Sequence, residues 1–141
     1  MKREKDPEIE RKKEYLRGYE KAIRKMKRCK VRIDAIRMNK MHPSLILDGL
    51  PHGSVQSDLS SYAAKLDEEE QKYLKAQNHG AELCAEIMDK IEQMAAENEK
   101  DVLVYRYIEL MPWEDISEKM MISERQAYRI HSDALKNFKI L

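Results

Sequence analysis

Seven residues near the C-terminus carry side chains suited to hydrogen bonding with base edges and phosphates: Ser123, Glu124, Arg125, Gln126, Tyr128, Arg129 and Ser132. An Arg fork bridges O6 and N7 of guanine, a Gln amide bridges N6 and N7 of adenine, and Ser or Tyr hydroxyls reach phosphates. Their spacing places all seven in the first three turns of a single helix. Ser123 followed by Gln126 is a capping box, in which the hydroxyl takes a free backbone N–H and the amide reaches back. Ala127, Ile130, Ala134 and Phe138, with Leu135 beside them, form an inward stripe on the other side of that helix. A helix that enters a DNA major groove uses its N-terminal turns, where the backbone dipole also favours phosphate.

Such a helix needs a platform. The preceding string PWEDISEKM sets Trp113, Ile116 and Met120 on one face, Met121-Ile122 is a tight link, and small Ala127 lets two helices cross closely. Upstream, DVLVYRYIEL predicts a short amphipathic helix over 101–110, with Val102, Leu103, Tyr105 or Arg106, Ile108 and Leu110 available to a core. Asn98 offers a break or cap before it, and Met111-Pro112 ends it, with Pro112 suited to open the next helix. Three short helices in residues 98–141 thus make a helix-turn-helix bundle.

The run YRYIELMPWEDISEKMMISERQAYRIHSDALKNF resembles region 4 of bacterial sigma factors. There, an RY-x-E string precedes a helix-turn-helix with Trp, Ile, Ser, Ala and Leu at the positions held here by Trp113, Ile116, Ser117, Met120, Ile122, Ser123, Ala127, Ile130, Ala134, Leu135 and Phe138. The whole chain, with its basic first helix and LDGLPHGS connector, is similar to small phage and prophage regulators of the RinA and ArpU type. That resemblance implies double-stranded DNA as partner, control of late or packaging-gene transcription, and RNA polymerase as a second contact. Two positions depart from the family pattern: its turn Gly is Met121 here, and the acid after the inward Ile is His131.

The remaining chain reads as a helical arm, residues 1–97. Asp6-Pro7-Glu8 is a helix start, and the seam Tyr15, Tyr19, Ala22, Met26, Cys29, Ile33, Ile36 alternates steps of four and three, predicting a helix over 7–41. Residues 42–57, with two of the four prolines and two of the four glycines, form a connector that includes His42 and His52. Ser57 or Asp58 then caps a helix over 58–97 with Leu59, Tyr62, Leu66, Tyr73, Cys84, Ile87, Ile91 and Met94 on its apolar side; Asn78-His79-Gly80 interrupts it weakly. Residues 1–41 carry +9, residues 42–110 carry −8, and residues 111–141 are neutral, so the two long helices suit an antiparallel, coiled-coil-like hairpin. The same stripes also suit pairing between two chains, and a homo-oligomer, a dimer first, is expected.

The expected fold is therefore all-α. No Gly-rich phosphate loop, metal-ligand cluster or nucleophile with a base is present, so neither an enzyme nor a cofactor or metal is expected, and Glu68, Glu69 and Glu70 read as a solvated acidic run. Cys29 and Cys84 read as buried thiols of a reducing compartment. With no long apolar run and no h-region after the charged start, a cytoplasmic protein without a membrane partner is expected. Three functional readings fit this sequence: a regulator that reads DNA through 123–138; an interaction module that docks on RNA polymerase or a packaging protein without reading DNA; and small terminase-like DNA recognition, which a ring-sized oligomer would mark.

Overall fold

The computed structural model describes residues 5–41 and 52–141, and every regular element in them is helical. In chain order these are α1 (Pro7–Leu16), α2 (Gly18–Met41), α3 (His52–Glu92), α4 (Glu97–Leu103), a π-helical turn (Val104–Ile108), α5 (Trp113–Met120) and α6 (Glu124–Asn137). The architecture is all-α, an antiparallel helical hairpin and a bundle of short helices that closes in a helix-turn-helix. By its contacts the chain divides into two compact units, Met1–Lys21 with Gly80–Leu141, and Ala22–His79.

In the Ala22–His79 unit, α2 buries Ala22, Cys29 and Ile33 and half-buries Met26 and Ile36, following the expected steps of three and four. From α3 the seam takes Tyr62, Leu66, Glu69, Tyr73 and Ala76, while Leu59, expected inside, is exposed. Glu69 is a correction to the solvated acidic run: it fills the heptad position between Leu66 and Tyr73, its side chain is only 15% exposed, and one carboxylate oxygen is buried without a hydrogen-bond donor. Cations hold the charge there, with Arg32 at 4.0 Å and Lys72 at 3.4 Å, and Arg37 pairs with the neighbouring Glu70 at 2.9 Å. Around Cys29 the hairpin also gathers Lys25, Arg28 and Lys75 beside Arg32 and Lys72, so the expected cancellation of charge is incomplete there.

The second unit has one core, built by four parts of the chain. Leu16 comes from α1, Ile87 and Ile91 from α3 with Met94 just past its end, Leu103 and Tyr107 from α4 and the π turn, and Ala134 and Leu135 from α6, with Phe138 following it. Full burial of each large apolar side chain stabilises the fold by about 1.5–3 kcal/mol. Polar contacts fix α1 onto this core. The buried Lys12 donates from Nζ to the carbonyl oxygens of Leu135 (2.9 Å) and Lys136 (3.2 Å), where the unsatisfied carbonyls at the C-terminal end of α6 need a cation. Tyr15 donates to Glu86 Oε1 at 2.6 Å, and Lys90 donates to the carbonyl of Ile140. The sequence reading placed α1 and all of α3 in an arm ending at residue 97; the contacts instead group α1 and the last third of α3 with the C-terminal bundle.

Several boundaries move for local reasons. α1 begins as expected, with the Asp6 carboxylate accepting from the Glu8 N–H at 3.0 Å, but the helix expected over 7–41 is divided by a turn at Arg17, next to Gly18. α3 starts at His52, inside the segment read as connector, since Gly53 costs a helix only about 1 kcal/mol and no proline follows before residue 92; residues 42–51 of that connector lie outside the described residues. Asn78-His79-Gly80 does not break α3, and Gly80 is buried. Asn98 caps nothing: Ala96 precedes α4, which opens with Glu97 and Glu99 in its first turn, where acids suit the dipole. Pro112 is the N-cap of α5 and Trp113 its first residue. No helix among the described residues is long and apolar enough to cross a membrane.

Candidate nucleic-acid interface

The turn between α5 and α6 is closed by backbone bonds that require a left-handed residue. Met121 takes φ 59° and ψ 42°, its N–H donates to the Glu118 carbonyl at 3.1 Å, and the Ile122 N–H donates to the Ser117 carbonyl at 3.0 Å. This is the Schellman arrangement, which satisfies two helix-end carbonyls and usually employs Gly. The Met side chain is 91% exposed and contributes little packing to offset its Cβ strain. Met121→Gly is therefore expected to raise stability by about 1 kcal/mol, read as a higher urea midpoint with an unchanged m-value. A lower midpoint would show that the Met side chain stabilises the turn.

Beyond the turn the capping box is complete: the Gln126 N–H donates to Ser123 Oγ at 3.1 Å and the Ser123 N–H donates to Gln126 Oε1 at 3.1 Å. All seven residues singled out from the sequence are exposed, Ser123 as the N-cap and Glu124, Arg125, Gln126, Tyr128, Arg129 and Ser132 on α6, while Ala127, Ala134 and Leu135 are buried and Ile130 is half-buried. They are not equivalent. Gln126 spends its carbonyl oxygen on the cap, so bidentate contact with adenine requires releasing that bond. Tyr128 leans on the Trp113 ring, with centroids 4.7 Å apart. Arg125 and Arg129, one turn apart, are in no ion pair among the described residues and are the cations most available to a groove.

Beside this face lies a cavity of about 420 Å³ lined by side chains from α1, the π turn and α6. Lys13 and Arg17 border it on one side; Arg106 stands over Trp113 at 4.9 Å and donates to the Met111 carbonyl at 3.1 Å. Tyr128 and Ser132 of α6 complete the rim, so cavity and outward helix face share two residues. In its wall, His131 packs edge-on to Trp113 at 4.8 Å and stacks on Tyr107 at 5.7 Å, with 2.8 Å between His131 Nε2 and the Tyr107 hydroxyl. Burial, then the positive charges of Lys13, Arg106 and Arg17, push the imidazole down to about 4, while burial holds the Tyr107 phenol up at about 12. Near neutrality both groups are therefore uncharged and share one hydrogen bond, whose donor is set by the His131 tautomer.

No protein-family model, curated protein or solved structure matches this chain. Its function is read from its own residues. Among the described residues no cluster of three metal-ligating side chains occurs. Sequence reasoning did not join Lys13, Arg17 and Arg106 to α6. The first two lie at the end of a helix more than a hundred residues before α6, and only the buried Leu16 between them, on a helix assigned to an arm, hinted that α1 has a second apolar partner.

Proposed function

We propose that this chain is a sequence-specific DNA-binding regulator of the phage or prophage type, acting on late or packaging genes, with α6 as the helix that reads the major groove. The observation that carries the reading is the exposed row of Arg125, Arg129 and Ser132 on a helix held from both ends. Its start is fixed by the capping box and the Met121 turn, and its end by Lys12. A helix locked in this way presents its side chains without further ordering cost, which favours base recognition. Residues 111–141 carry no net charge, so affinity draws on other cations or on a second copy of the chain, consistent with the expected dimer.

The test is selection of bound sequences from a random duplex pool. Arg125→Ala and Arg129→Ala are each expected to cost about 1–3 kcal/mol at the selected site and to relax preference at one base position. Retention of affinity and preference by both variants would remove α6 as the reader. A second reading, docking on RNA polymerase or a packaging protein, draws on Glu114, Asp115 and Glu118, exposed acids of α5. It predicts no salt-dependent affinity for duplex DNA.

A further inference from the structure

The cavity beside α6 gathers more positive charge than packing requires. Lys13 of α1, Arg17 in the turn that follows it and Arg106 of the π turn converge on one space of about 420 Å³, opposed by Glu20 at the rim and by Glu10, which lies 3.5 Å from Lys13. Three cations held together repel one another, and their field contributes to keeping the proton off His131 in the cavity wall. Arg106 is preorganised, its plane set by the Trp113 ring and one N–H fixed on the Met111 carbonyl, with the rest of its fork left for a planar or tetrahedral oxyanion. The hydroxyls of Tyr128 and Ser132 add neutral donors on the opposite rim.

We infer that this cavity is a phosphate-binding site, clamped by Lys13, Arg17 and Arg106, and that in the DNA complex it holds a backbone phosphate beside the groove that α6 enters. The second half of this inference rests on the proposed DNA-reading function. The geometry favours a backbone phosphate because Tyr128 and Ser132 belong both to the cavity rim and to the outward face of α6. A strand whose bases meet Arg125 and Arg129 therefore passes the cavity mouth. The site supplies affinity without sequence information, which the charge-balanced α5–α6 segment lacks.

Trp113 is the sole tryptophan, so its fluorescence reports on the cavity wall. A selected duplex is expected to change Trp113 emission and to raise the His131 pKa followed by NMR. In Lys13→Ala/Arg17→Ala, affinity is expected to fall about tenfold for every sequence, and the slope of log K against log salt to flatten by about 1. Arg129→Ala instead alters sequence preference. Arg17→Ala alone, at an exposed residue, repeats the test if the double variant loses its far-ultraviolet circular dichroism. Duplex binding with unchanged affinity and slope in the variants overturns the inference. If no duplex binds the wild type, the DNA-reading function fails, and titration with inorganic phosphate and with dAMP decides the rest. A Trp113 response lost in the variants retains the phosphate site with a free phosphate ligand, and no response overturns it.

Discussion

Replacing Leu16 with alanine is expected to destabilise the C-terminal bundle by about 2–5 kcal/mol, a large share of a small protein's whole stability. Leu16 lies far from the helix-turn-helix in sequence, yet it is fully buried in the same core as Ile87, Leu103, Leu135 and Phe138. Truncation removes the transfer energy of the side chain and leaves a cavity that α1 cannot collapse into, because Lys12 and Tyr15 are already fixed on the Leu135 and Lys136 carbonyls and on Glu86. Urea unfolding followed through Trp113 reads the bundle itself. A midpoint change worth less than about 1 kcal/mol would mean that α1 is an appendage, and that residues 98–141 hold their fold without it.

The helix-turn-helix was legible because its signals are local. Ser123 and Gln126 lie three residues apart, the α6 stripe has a single period, and Trp113, Ile116 and Met120 occupy one face of α5, with Ile116 fully buried. The hairpin seam was legible at most of its apolar positions, Leu59 being exposed, and was missed where Glu69 fills it, since a pattern of hydrophobicity does not register a carboxylate held by Arg32 and Lys72. Met121 stands where the resembling family has Gly, and the backbone accepts the strain of its left-handed angles because the bonds to Ser117 and Glu118 depend on them. The cavity was not legible at all. Its cations come from α1, the turn after it and the π turn, and nothing in the spacing of Lys13, Arg17 and Arg106 shows that they meet; only the tertiary docking of α1 brings them together.

That docking also sets the second large effect. His131 is expected to make the bundle acid-sensitive, losing about 3 kcal/mol of stability between about pH 6.5 and pH 4. Its imidazole is pushed down from 6.5 to about 4 in the folded chain, first by burial and then by Lys13, Arg106 and Arg17. Between those two values the unfolded chain binds a proton that the folded chain refuses, so protonation favours unfolding. The stability is complete above the unfolded value, declines as pH falls, and levels off below the folded value. Glu14 and Glu86 contribute little in this window, because Lys21 and Tyr15 respectively hold them below the ordinary carboxylate range, and they titrate in more acidic solution. His131→Gln keeps a hydrogen-bond partner for the Tyr107 hydroxyl and removes the titration. Urea midpoints at about pH 7 and about pH 4.5 should therefore converge in this variant and diverge in the wild type. Equal pH dependence in both proteins would show that the imidazole is accessible to protons in the folded state, and with it that the cavity is open enough for water to replace the field of Lys13, Arg17 and Arg106.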